Sequence, residues 1–368
     1  MDQRRDALAA WARQCLQEKA GKGLPAGSVH TVSGDASFRR YFRIVLPAAP
    51  RTAGSPGQGL MQATRFILVD APPAHEDCRR FVHVAELFRT AGMQTPRVLR
   101  ADFEQGFMLL EDFGDALYLP ALQSASGVDA LYGAAMQALI DLQACGNGSD
   151  LPPYSRQLLR TELALFDHWF CERFLGITLD AAERALLERT WTFLEDAALA
   201  QPQVCVHRDY HSRNLMILAG DPARGPGVID FQDAVFGPCT YDLVSLLRDC
   251  YIVWPDAQVQ AWALQFRQLA VARGILAAGG ATADAAFLRD FDLMGLQRHI
   301  KVIGIFCRLN LRDGKPRYMA DVPLVIDYVV RVAARHPEMA DFNHWFQNRV
   351  LPLANPLLQA FALPDIVA

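Results

Sequence analysis

The chain has 368 residues, enough for two lobes or domains with a sizeable core. A net charge of −4 with a pI near 6.1 shows no bias toward nucleic acid, and no cluster of basic residues with interleaved aromatics supplies a local one. No apolar run reaches the roughly 18 residues of a membrane span, and the eight cysteines stand singly without a CxxC pair, the pattern of reduced core thiols and not of a zinc site or disulfide framework.

The opening segment, MDQRRDALAAWARQCLQEKA, is a charged amphipathic helix pattern without the apolar core of a signal peptide, so a soluble, cytoplasmic protein is expected. Residues 28–45 alternate in strand fashion around the turn Ser33-Gly34-Asp35-Ala36, and 64–69 form a further strand closed by Asp70-Ala71-Pro72-Pro73. Between them, the Gly/Pro/Ser-rich stretch 51–59 predicts a mobile hairpin tip. Residues 76–91 carry apolar groups at helical spacing and end at Gly92, after which 97–102 and 106–111 read as strands. From about 127 the helical period dominates, over 127–144, 156–175, 181–199, 240–253, 258–276, 284–311 and 322–335. The prediction is an α+β protein with a small β-rich N-terminal lobe, 1–115, and a large helical C-terminal lobe, 116–368.

The strongest chemical signal lies at 206–233, in VHRDYHSRNL and VIDFQD. Phosphoryl transfer needs one carboxylate to orient the attacking hydroxyl and oxygen ligands for the magnesium on the nucleotide phosphates. Asp209 suits the first role. Asn214, five residues on in the same loop, and Asp230, at the end of a short apolar strand, suit the second. Arg213 is placed to neutralise charge at the transferring phosphoryl. His207 reads as a residue that fixes the loop, and His211 either as another such support or as a site group. Asp242, at the start of an apolar helix, favours the helix dipole, and Asp233 reads as a turn residue.

At these residues the chain resembles the aminoglycoside phosphotransferase and choline kinase family, whose fold is like that of protein kinases. GDASFRRYFR (34–43), DAPPAHEDCRRFVHVA (70–85), LLEDFGD (109–115), LPPYSRQLLRTELALFDHW (151–169) and QRHIKVIGIFCRL (297–309) make it similar to the branch that phosphorylates the cell-wall amino sugars N-acetylmuramate and N-acetylglucosamine at the anomeric hydroxyl. The resemblance implies a two-lobed protein-kinase-like fold, use of ATP and Mg2+, a small-molecule sugar partner, no nucleic-acid or membrane partner, and a monomer. It also implies that Asp242 braces the catalytic loop. Adenine would lie where the lobes join, against Leu110, Glu111, Asp112 and Phe113.

The turn Ser33, Gly34, Asp35, Ala36 and Ser37 would offer backbone N–H groups to the phosphates. It holds one glycine, so it is no GxGxxG loop. The phosphate-binding lysine usual on the third strand is missing from TRFILVDAPP, and Lys19 and Lys22 lie well upstream. Arg40, Arg43 and Arg65 are the candidates to replace it, with Glu86 as a partner for one of them. For the acceptor, the segment 351–368 has a single carboxylate, Asp365, which argues against a polycation. Gln297, Lys301, Gly304 and Arg308 recur at spacings of four, three and four, a polar stripe that could hold a sugar carboxylate with Gly304 leaving room for the ring, or could be a solvated face. Glu162, Asp167 and Trp169 could add hydroxyl acceptors and a stacking ring. An aminoglycoside- or choline-type kinase is the alternative enzyme, and a nucleotide-binding pseudokinase, suggested by the missing lysine, the alternative of another class.

Overall fold

Five short strands and two helices build the first of two units. The computed structural model describes residues 2–20, 29–34, 38–46, 64–124, 127–144, 150–218 and 225–361, so the predicted tip at 51–59 and the turn residues Asp35, Ala36 and Ser37 lie outside the described residues. Contacts divide the chain into residues 1–90 with 94–115, and 91–93 with 116–368.

In the first unit the strands β1 (Val29–Gly34), β2 (Arg40–Leu46), β3 (Thr64–Asp70), β4 (Val98–Asp102) and β5 (Phe107–Glu111) form an antiparallel sheet in the order β1-β2-β3-β5-β4. Alternate residues of the inner strands, Phe42, Ile44, Leu68, Phe107 and Leu109, point to one face, where helix α1 (Gln3–Ala20) lays down Leu8, Ala12, Cys15 and Leu16. On that face Asp70, fully buried, accepts bonds from Arg4 (2.9 and 2.6 Å) and from Arg40 (3.0 Å at Nε). Arg40 is thereby committed to tying α1 to the sheet. Helix α2 (Cys78–Thr90) follows and buries Cys78, Phe81, Val84, Ala85 and Phe88.

The second unit is mostly helical, with α3 (Tyr118–Gln123), α4 (Val128–Gln143), α5 (Arg156–Leu165), α6 (Ala181–Ala200), α7 (Tyr241–Leu247), α8 (Asp256–Ala272), α9 (Ala281–Leu311), α10 (Val322–Ala333), α11 (Ala340–Trp345) and α12 (Leu351–Gln359). Helix α5 runs on into a π-helical stretch, Phe166–Phe174. Two ladders, β6 (Gln203–Val206) with β9 (Val235–Pro238) and β7 (Leu215–Ile217) with β8 (Pro226–Val228), frame the segment around Asp209. The helix predicted over 240–253 stops at Leu247, because Asp249 turns its carboxylate to Ser212, accepting from N–H at 2.9 Å and from the hydroxyl at 2.5 Å. Seven cysteines are buried and outside any disulfide among the described residues, and Cys145 lies outside the described residues. Among the described residues no helix is long and apolar enough to cross a membrane.

Helix α9 passes through the middle of this unit and is buried without interruption from Leu293 to Gly304. The polar stripe of Gln297, Lys301 and Gly304 is therefore no solvated face. It is the seam along which α9 meets α5. A methyl group added at Gly304 would stand 2.4 Å from the Leu165 carbonyl carbon and 2.5 Å from its oxygen, so the glycine permits a helix crossing and leaves no space for a sugar ring. Substituting Gly304→Ala should cost about 1–3 kcal/mol of overpacking, read as an earlier midpoint in urea denaturation. An unchanged midpoint would remove the close crossing from this account.

Candidate active site

The β7–β8 ladder pairs Leu215 with Val228, and the Ile229 N–H donates to the Asn214 carbonyl at 3.1 Å, so Asn214 and Asp230 leave neighbouring strand ends side by side. Asn214 Nδ2 donates to the Asp209 carbonyl at 3.0 Å and reaches Asp230 Oδ2 at 3.5 Å. Gln232 Nε2 donates to Asp230 Oδ1 at 2.7 Å. The three groups singled out in the sequence are thus brought together. Asn214 and Asp230 offer carboxamide and carboxylate oxygens, hard donors that suit Mg2+, which takes one or two protein oxygens along with phosphates and water. Among the described residues no group of three or more His, Cys, Asp or Glu forms a closed metal cage.

The backbone is strained at this site. Arg208 (φ 79°) and Asp230 (φ 64°) are the only non-glycine residues with positive φ among the described residues. The left-handed turn at Arg208 is held by Asp242, whose two oxygens accept the His207 and Arg208 N–H groups, at 2.6 and 2.9 Å. Burial pushes the Asp242 carboxyl up to about 7, with both N–H donors pulling it back. His207 is pushed down to about 4 by burial and is neutral. Its Nε2–H donates to the Ile229 carbonyl (3.1 Å), while Nδ1 accepts the Asp209 N–H (3.2 Å), so one fixed tautomer links the two halves of the site.

Asp209 itself makes no side-chain hydrogen bond to another described residue. Burial opposes its ionisation, but Lys301, His211, Arg208 and Arg298 outweigh burial and hold its pKa below the ordinary carboxylate value. The carboxylate is therefore charged at neutral pH, able to accept a hydrogen bond from a hydroxyl and to orient it. His211 is pushed down by burial, packs edge-on to Tyr251, and lies 3.5 Å from Asn214 Nδ2, a supporting position. Arg213 lies flat over the Tyr251 ring at 3.4 Å and reaches Asp321 at 3.9 Å.

Beneath Asp209 lies a buried ionic knot absent from the sequence reading. Glu162, 5% exposed, accepts from Lys301 Nζ at 2.8 Å, from Arg208, and from the Tyr154 hydroxyl. Lys301 also donates to the Tyr241 hydroxyl at 2.9 Å. Glu162 and Lys301 were expected to hold substrate. In the structure each is the counter-charge of the other, with both Glu162 oxygens engaged and two of the three Lys301 donors used. Gln297 reaches Glu162 at 3.5 Å within the same seam. Trp169 is half-buried beside His168 and Arg173, and Asp167 accepts the Trp191 indole N–H at 3.1 Å. Arg308 has its Nε buried without a partner.

Within the first unit the three candidate arginines separate. Arg43 is engaged with Asp112 (2.6 and 3.0 Å), Asp115 and the Gly114 carbonyl (3.0 Å), and braces the segment after β5. Arg40 serves Asp70, and Arg65 is exposed. Glu86 is exposed on α2 and pairs with none of them among the described residues. The pairing that the sequence did not disclose is Arg39 with Glu76 at 2.7 Å, both nearly buried, next to Phe38 stacked on His75. Arg39, just before β2, thus turns to Glu76 where Arg40, the first residue of β2, turns to Asp70. Leu110 is buried in β5, while Glu111 donates its N–H to the Arg97 carbonyl and takes the Arg97 guanidinium at 3.0 Å.

A family profile described as the phosphotransferase enzyme family matches residues 28–278. The chain belongs to that family. An N-acetylmuramate/N-acetylglucosamine kinase of Pseudomonas putida is 42% identical over 346 residues, covering 93% of this chain and 95% of that one. A protein of the same name from Pseudomonas aeruginosa is 42% identical over 346 residues, covering 93% and 96%. Among solved structures, the GDP complex of an aminoglycoside 2′-phosphotransferase aligns with a TM-score of 0.55 at 12% identity, covering 89% of this chain and 99% of that one, a likeness of fold. The phosphotransferase fold thus has the kinase-like division expected, with an antiparallel sheet in one unit and helices in the other.

Because Lys301 neutralises a buried carboxylate in this phosphotransferase, Lys301→Met should cost about 3–5 kcal/mol, the loss typical when one partner of a buried pair is removed. Chemical denaturation checks this. Any kinetic loss should then fall on all acceptors alike, and a stable variant defective toward one acceptor alone would return Lys301 to the binding role.

Proposed function

We propose that this phosphotransferase moves the γ-phosphoryl of ATP to the anomeric hydroxyl of N-acetylmuramate and N-acetylglucosamine, in recycling of the cell wall. The observation that carries the reading is the joint placement of Asp209, Asn214 and Asp230 in a chain 42% identical, over 93% of its length, to a kinase named for these two sugars. Support for a neutral or anionic acceptor comes from the 351–368 segment, which holds one carboxylate where a polycation calls for several.

Asp209, kept charged, accepts the hydrogen bond of the acceptor hydroxyl and aligns its oxygen for in-line attack. The strained turn at Arg208, fixed by Asp242, sets the position of that carboxylate, and the neutral His207 keeps Asp209 and the strand before Asp230 in register. Asn214 and Asp230 hold Mg2+, which when bound screens the phosphate charge against the incoming oxygen. In the first unit, Ser33 and Gly34 at the end of β1 supply backbone N–H groups to the phosphates. Leu110, Glu111 and Phe113 supply the edge for adenine, and Arg65 or Arg39 supplies the cation that the missing lysine would have given.

ADP release with ATP and Mg2+ against a panel of amino sugars, aminoglycosides and choline tests the reading. The two sugars should be turned over and the others ignored. Asp209→Asn should lower kcat by about 10²–10⁴, and Asp230→Ala or chelation by EDTA should abolish turnover. Preference for kanamycin or choline would overturn the acceptor, and full activity of Asp230→Ala would overturn the metal assignment. ADP release with none of these acceptors would favour the pseudokinase alternative.

A further inference from the structure

Beside the ionic knot, α9 carries a nearly buried cation that the knot does not neutralise. Arg298 lies three residues before Lys301, on the next turn of the same helix, and is 3% exposed. Its one hydrogen-bond contact among the described residues is from Nη1 to Cys250 Sγ, at 3.5 Å. No carboxylate of a described residue forms an ion pair with it, whereas Lys301 and Arg208 share Glu162, and Arg248 on the neighbouring helix end has Asp292 at 2.6 Å. A guanidinium is permanently charged and carries five donors in a fixed fork, so a nearly buried one with a single thiol contact has donors left for a further acceptor. The unpartnered Nη1 of Arg248 is sealed from solvent, but Arg298 has no nitrogen that is both sealed and unpartnered, so its open donors still meet the surface.

The surroundings say which anion. Arg298 and Asp209 are among the charges that act on one another, and Arg298 also acts on His211. Asp249, the other carboxylate nearby, is occupied by the Ser212 N–H and hydroxyl and by the Tyr251 N–H at 3.2 Å. Arg298 is thus a neighbour of the carboxylate that receives the acceptor hydroxyl, on an element that contributes no metal ligand. A carboxylate attached to the acceptor a few bonds from the reacting hydroxyl fits a planar fork bidentately. We propose that Arg298 is the acceptor-binding residue that takes the lactyl carboxylate of N-acetylmuramate, and that it sets the preference between that sugar and N-acetylglucosamine, which has no such group. This rests on the acceptor reading above and replaces Lys301 and Arg308 in the role the sequence suggested for them.

The experiment is a pair of kinetic titrations at saturating ATP and Mg2+, one per sugar, on the wild type, Arg298→Gln and Arg298→Lys. The quantity read is the ratio of kcat/KM for N-acetylmuramate to that for N-acetylglucosamine. Arg298→Gln should lower this ratio about tenfold or more, mostly through KM for N-acetylmuramate, as expected for loss of a charge-assisted pair. Arg298→Lys, which keeps the charge without the fork, should fall between. An unchanged ratio in both variants overturns the proposal. So does an equal fall in kcat for both sugars, which would make Arg298 a contact of the transferring phosphoryl or a part of the core. Should Arg298→Gln fail to fold, judged by circular dichroism, the ratio for Arg298→Lys decides alone. A wild type that phosphorylates neither sugar would instead sink the acceptor reading, so the two failures are distinguishable.

Discussion

Glu162 is the constraint on which the larger unit depends. One buried carboxylate on α5 holds Lys301 of α9 and Arg208 of the loop before Asp209, with the Tyr154 hydroxyl, and Lys301 passes the contact on to Tyr241 at the start of α7. Two cations around one anion leave local positive charge, and this charge, with His211 and Arg298, keeps the neighbouring Asp209 ionised despite its burial. Fixing the helices and setting the charge state of Asp209 are the same interaction seen from two sides. Buried ion pairs contribute little net stability compared with a well-packed apolar substitute, so their persistence here fits a role in positioning and in charge.

Around that knot the loop geometry follows from local bonds. A left-handed arginine is costly, of the order of 1–3 kcal/mol, and it is retained because Asp242 takes both adjacent N–H groups. A neutral histidine then links the turn to the strand that ends at Asp230. Among the described residues the strain is confined to Arg208, which flanks Asp209, and Asp230, which ends the strand beside Asn214. Gly304 lets α9 approach α5 closely enough for Lys301 to reach Glu162.

Much of this was legible in the sequence, and the illegible part has a physical pattern. Asp209, Asn214 and Asp230 could be read because short loops and one strand pair fix their separation, and helices such as α4, α6 and α10 because their apolar residues recur at the helical period. Partners far apart in the chain could not be read. Glu162 and Lys301 are 139 residues apart, and each alone looks like a surface charge or a substrate ligand. Gly304 resembled space for a ring because a glycine at a helix crossing and one lining a cavity have the same sequence. The arginines of FRRYFR part at the start of β2: Arg40 turns to Asp70 under α1, and Arg39 to Glu76. Arg298 was passed over because it stands off the stripe of Gln297 and Lys301, and only its burial without a carboxylate partner distinguishes it.

The central claim is that a charged Asp209 directs phosphoryl transfer to the anomeric oxygen of an amino sugar. Phosphorus NMR of the product formed from N-acetylglucosamine and ATP tests it most directly, since the coupling pattern identifies the carbon that bears the phosphate. The account predicts a sugar 1-phosphate, coupled to the anomeric proton and absent when Asp209→Ala replaces the wild type. Phosphate on another hydroxyl, or the same product formed at an undiminished rate by Asp209→Ala, would contradict it.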